Sequence, residues 1–111
     1  MRVITNKNQR LDGRDRGESN GYLVIDDKNH PWFGKDYHDI DVDVHGGLNF
    51  SSEIVKGHIS VYEELVEDDI GSWMIGFDTC HLYDSYSRWT DDAVRDHTEI
   101  FLLKPALELS K

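Results

Sequence analysis

The chain has 111 residues, 38% apolar and 31% charged, with three Trp, five Tyr and four Phe; that fits one domain around one modest core and excludes a disordered polypeptide. A formal net charge of −10 argues against direct nucleic-acid binding, since an acidic body repels phosphates. The single cysteine, Cys80, excludes an internal disulfide framework or a multi-cysteine zinc site. No apolar run approaches the roughly 18–20 residues of a membrane helix, and residues 1–7 lack the apolar stretch of a secretory leader, so no membrane association and a cytoplasmic setting are expected.

The charge is uneven. Residues 1–17 hold five basic groups (Arg2, Lys7, Arg10, Arg14 and Arg16) against two acidic ones (Asp12 and Asp15), which leaves the rest of the chain strongly acidic. Residues 1–20 read as a polar N-terminal arm, with a short strand at best over 2–5. Residues 21–111 read as a single α+β domain. Its first strand is Gly21-Tyr22-Leu23-Val24-Ile25, bounded by Asn20-Gly21 and Asp26-Asp27. Around His30-Pro31 the chain must be irregular, because proline has no amide donor and pushes His30 toward extended geometry.

Residues 40–45 alternate Ile40, Val42 and Val44 with Asp41, Asp43 and His45, which predicts a strand with one apolar face. Gly46-Gly47 then bends the chain, with Leu48-Asn49-Phe50 continuing the strand beyond a bulge. Alternation returns over 56–62. The acidic run 63–69 fits a loop or one helical turn. Residues 73–79 form the most apolar strand, expected at the centre of the sheet. Thr90 caps a predicted helix with Asp91 and Asp92 in its first turn, and Val94, His97, Phe101 and Leu102 supply its apolar stripe. Pro105 should end or kink it near Leu103, with a last turn over 106–109. The expected fold is a small, mostly antiparallel sheet with a C-terminal helix packed on one face.

The chemistry-bearing residues gather where two strands end. Asp43 and His45 close the 40–45 segment, and Asp78 and His81 follow the 73–79 strand. Imidazole and carboxylate side chains hold transition metals and move protons near neutral pH, so Asp43, His45, Asp78 and His81 are the candidate metal ligands. His30 is placed over the same pocket. Gly46 and Gly47 either let the backbone approach a ligand or supply a turn. The candidate ligand-binding set is thus His30, Asp43, His45, Gly46, Gly47, Asp78 and His81. No sequence-local metal signature, phosphate loop or nucleophile elbow is present. Cys80 is expected to be buried and inert, His97 to sit in or beside the core, and His38 and His58 to lie at the surface.

Four motifs occur in order: Gly21-Tyr22-Leu23-Val24, His30-Pro31-x-x-Gly34-x-x-Tyr37, Asp43-Val44-His45-Gly46-Gly47-Leu48, and Trp73-x-x-Gly76-Phe77-Asp78-x-x-His81-x-x-Asp84. In these the chain resembles a family of small hypothetical proteins of bacteriophages and bacterial genomes. The resemblance covers residues 21–84 and, loosely, the terminal helix, leaving the first twenty residues outside. It implies a shared fold and a phage or prophage setting within the host cytoplasm, and it names no activity.

Three functions follow as expectations. The first is a binding protein whose His/Asp pocket takes a small polar ligand, in a phage setting a nucleotide-like signal of host immunity that it sequesters. The second is an acidic inhibitor of a basic host protein, of anti-restriction or anti-CRISPR type. Its Glu63, Glu64, Glu67, Asp68 and Asp69 would mimic DNA phosphates. The third is a metal-dependent hydrolase using the pocket residues, the metal activating a water.

Overall fold

A computed structural model describes residues 1–8, 16–81 and 83–110. Four strands form one antiparallel sheet: β1 (Arg2–Lys7), β2 (Ser19–Ile25), β3 (Phe50–Glu53) and β4 (Trp73–Phe77), in the order β1-β2-β4-β3. The two central strands are those with near-continuous apolar sequence, Tyr22 to Ile25 and Trp73 to Phe77. Both of their faces are buried, and a strand covered on both faces needs no polar alternation.

One sheet face, through Leu23, Ile25, Ile75 and Phe77, packs on Trp32, Ile40, Val44, Val94, Leu102 and Ala106. The other, through Ile4, Tyr22, Val24 and Met74, packs on Ile54 and Leu65. The C-terminal helix covers the first face, so the architecture is the α+β arrangement expected. It begins with α2 (Asp91–Thr98), whose cap, Thr90, accepts the Ala93 N–H at 3.2 Å while Asp91 and Asp92 occupy the first turn. α1 is the single turn Lys56–Ile59 on the opposite face.

The helix continues past Pro105. A π-helical stretch, Glu99–Leu103, joins α2 to α3 (Lys104–Leu109), and the Lys104 N–H reaches back to the Glu99 carbonyl. In a regular α-helix the proline ring meets the carbonyl four residues earlier. The wider π turn relieves that clash and keeps the polypeptide helical to Leu109.

Several expectations are corrected. The facing of the 40–45 segment is as read, with Ile40 and Val44 buried and Asp41 and Asp43 exposed, but it forms no strand and ends in the turn at His45. Its neighbour in sequence, Phe50–Glu53, takes the free edge of β4 instead, pairing Phe50 with Gly76 and Glu53 with Trp73. The alternating 56–62 segment contains α1 rather than a strand, and β4 stops at Phe77 rather than at residue 79. The acidic run holds one 3-10 turn, Glu67–Asp69. The strand expected over 2–5 extends to Lys7 as the edge strand β1, paired along its length with β2; the rest of the expected arm falls partly on residues 9–15, outside the described residues. No helix among the described residues is long and apolar enough to cross a membrane.

Candidate functional site

Two loops bring the site together at one end of the sheet. The first carries His45. Val44 to Gly47 closes a turn by the Gly47 N–H to Val44 carbonyl bond at 2.9 Å, and Gly46 sits at φ +70° in its third position, a conformation that L side chains disfavour. The second loop follows β4 and carries Asp78, His81 and Asp84. Here the Asp84 N–H donates to the His81 carbonyl at 3.0 Å, and the His81 N–H donates to Asp84 Oδ2 at 2.9 Å. This reciprocal pair holds the tight loop in which Tyr83 adopts φ +73°, the positive value found at no other non-glycine residue among those described.

His45 Nε2 donates to the buried carboxylate of Asp84, 2.9 Å from Oδ1 and 3.0 Å from Oδ2. The His45 N–H donates to His97 Nε2 at 2.9 Å, so the His97 proton sits on Nδ1. Burial pushes His97 below the ordinary imidazole pKa, and the neighbouring His45 lowers it further. The Trp89 ring lies against His45 with centroids 4.4 Å apart and planes inclined by 35°. His97 meets Trp89 edge-on and rests on Phe101. The His45 ring is therefore fixed by a carboxylate at its tip, an indole on its face and a histidine behind its backbone.

His81 faces the same point from the other loop, its ring 5.3 Å from that of His45 and nearly perpendicular to it. A Cβ added to Gly46 would stand 2.2 Å from His81 Nε2, so glycine is required there by space as well as by φ. That nitrogen is buried and has no hydrogen-bond partner among the described residues. Asp78 Oδ1 stands 3.1 Å away, but out of line for an N–H to reach it. His45, His81 and Asp84 each offer one potential ligand atom, and the three atoms lie within 4.8 Å of one another. Two imidazoles and one carboxylate suit a divalent transition metal such as zinc, iron or manganese better than calcium or magnesium.

Of the residues expected at the site, His45, Gly46 and His81 meet there, with Asp78 beside them. Gly47, at φ +80°, shapes the first loop and has open space around it. Asp43 points to solvent outside the cluster, because strand-like alternation sends it away from the buried Val44. His30 is also corrected. It is buried, its Nδ1 accepts the Trp32 N–H at 3.0 Å, and its Nε2–H donates to the Ala106 carbonyl at 2.8 Å. It ties the Pro31 turn to α3 and has no ring nitrogen left for a ligand. Cys80 is exposed rather than buried.

Sequence reasoning did not place Asp84, Trp89 and His97 at the site. The spacing His81-x-x-Asp84 held a signal for the first, since a carboxylate three residues on can take the histidine's own N–H. Nothing local marks the other two. Comparison with protein-family models, with curated proteins and with solved structures finds no match to this chain.

Proposed function

We propose that this protein binds a small polar ligand in the site formed by His45, His81 and Asp84, walled by Trp89. The observation that carries the reading is the strained His81–Asp84 loop. Tyr83 at positive φ costs about 1–3 kcal/mol, and such strain persists where surrounding contacts over-determine it, commonly at ligand sites. Here it delivers one ring nitrogen without a hydrogen-bond partner and one buried carboxylate to a second loop that needs a glycine to receive them.

In the phage or prophage setting that the resemblance implies, the ligand is a nucleotide-like signal of host immunity and the role is sequestration. Trp89 and the imidazoles suit a base or sugar edge through stacking and hydrogen bonding. The acidic-inhibitor reading draws less support. Two of the five carboxylates it relies on are engaged within the protein: Asp69 is buried against Arg2 at 2.5 Å, and Glu64 is paired with Arg95 at 2.5 Å. The hydrolase reading uses the same pocket and turns on what activates a water there.

The test is by NMR, following the imidazole C–H resonances of all six histidines during titration with a panel of cyclic and ADP-ribose-derived nucleotides. Ligand binding is expected to move His45 and His81 and to leave exposed His38 in place. Shifts confined to histidines outside the site, or none with any compound, would contradict the reading.

A further inference from the structure

We propose that His45, His81 and Asp84 together bind one divalent transition-metal ion, and that this ion recruits the ligand. This deepens the ligand-site reading and rests on it. Three observations lead there. The three ligand atoms already lie within 4.8 Å of one another. Donors that share one zinc ion at bond lengths near 2.0–2.2 Å sit roughly 3–3.5 Å apart, and the 2.9 Å separation of His45 Nε2 from Asp84 Oδ1 lies just under that edge. A metal would replace the proton that His45 shares with Asp84.

The second observation is His81 Nε2. That nitrogen is buried without a hydrogen bond among the described residues, with Asp78 Oδ1 in ion-pair range at 3.1 Å; a buried imidazole nitrogen that makes no hydrogen bond is costly, and coordination satisfies it with the metal as its electron-pair acceptor. The third is the supporting shell. Metal-binding histidines and carboxylates are oriented by outer hydrogen bonds and packing. Here the His81 N–H holds Asp84 Oδ2, His97 Nε2 accepts the His45 N–H, and Trp89 lies on the His45 ring.

Charge adds a reason of its own. Asp84 and Asp78 alone would repel an anionic nucleotide. A dication beside them cancels both negative charges, and three protein donors leave coordination positions open for ligand oxygen or water.

The test uses the full-length protein stripped with a chelator, then titrated with Zn2+ by calorimetry and with Co2+ by visible absorption. One equivalent is expected to bind, with a ligand-field band typical of mixed nitrogen and oxygen donors. His81→Gln should weaken Zn2+ binding by more than the roughly 10–100-fold that outer-shell changes cost. Asp84→Asn should do likewise, and the surface variant His38→Ala should match the wild type. Circular dichroism of each variant separates lost binding from lost folding; His81 is partly exposed, so His81→Gln is the decisive variant.

Absence of Zn2+ binding to the wild type, or equal affinity in folded His81→Gln, would overturn the proposal. If metal fails to bind while nucleotides still move the His45 and His81 resonances, the metal inference falls and the ligand site stands. If metal binds at these residues but no nucleotide joins it, the metal site stands and the nucleotide reading falls.

Discussion

Gly46 faces the site without a side chain because His81 Nε2 occupies the space that a Cβ would need, and the φ of +70° compounds the demand. Gly46→Ala is therefore expected to cost about 1–3 kcal/mol from backbone strain, with more wherever His81 cannot move aside, as read by chemical denaturation. Gly47→Ala, at a similar φ but in open space, should cost less and leave His81 undisturbed. His97 makes a second residue-scale case. Its folded-state pKa lies below the ordinary imidazole value, so the unfolded chain binds more protons as pH falls. The stability held by neutral His97 is complete above about pH 6.5 and is lost as pH falls through its lower folded value. His97→Phe removes the acceptor for the His45 N–H, costing about 1 kcal/mol near neutral pH. It should also abolish this part of the pH dependence, measured in chelator so that no metal intervenes.

Among the secondary elements, β1 is held at the sheet edge by side chains as well as by its ladder. Arg2 donates to both oxygens of Asp69 in the Glu67–Asp69 turn, and Asp69 Oδ2 also accepts the Val66 N–H at 2.8 Å. The guanidinium bond, then the Val66 N–H and the guanidinium charge, hold the Asp69 carboxyl below the ordinary range, against the opposing effect of burial. Arg2→Ala would strand a buried carboxylate and is expected to destabilise by about 1–3 kcal/mol. A double-mutant cycle with Asp69→Asn should recover a coupling of similar size; additivity would show that the pair contributes nothing. What the sequence made legible was element character: apolar runs marked β2 and β4, and Thr90 with its following aspartates marked the start of α2. Pairing was not legible. Alternation over 40–45 reported correctly which side chains face the core, but facing is local, whereas a strand also needs an open edge beside it. That edge went to Phe50–Glu53, whose Ser51 and Ser52 give weak strand preference. The site was half legible for the same reason. His45 and His81 stood out at chain bends, yet the partners of His45, Asp84 and His97, lie 39 and 52 residues from it, where no local period links them to His45.

Across the whole molecule, a second polar network links elements far apart in sequence. The Thr5 N–H and Arg95 Nη2 both donate to Glu64 Oε2, and Asp91 accepts from the Ser19 and Thr5 hydroxyls and from Arg95 Nε. Burial alone would raise Glu64 and Asp91, but these donors hold both carboxyls below their ordinary values. The stability they contribute is present above the ordinary carboxylate range and lost as pH falls through the folded values, which places the main acid unfolding below the His97 step. The net charge of −10 bears on how the protein meets a partner. Raising ionic strength from about 0.01 to about 0.15 M shortens the Debye length from roughly 30 to 8 Å. Capture of a ligand in the His45–His81–Asp84 pocket should weaken only mildly over that range, whereas docking through an acidic face would weaken steeply. The most direct test of the ligand site is thermal melting of wild type and His45→Ala, each with Zn2+, with chelator, and with the nucleotide panel in the presence of metal. A ligand at about 100 times its dissociation constant adds roughly 2.7 kcal/mol, several degrees for a domain of this size. That rise is expected in the wild type and its loss in His45→Ala; an equal rise in both proteins, or none in the wild type with any addition, would contradict a ligand site at these residues.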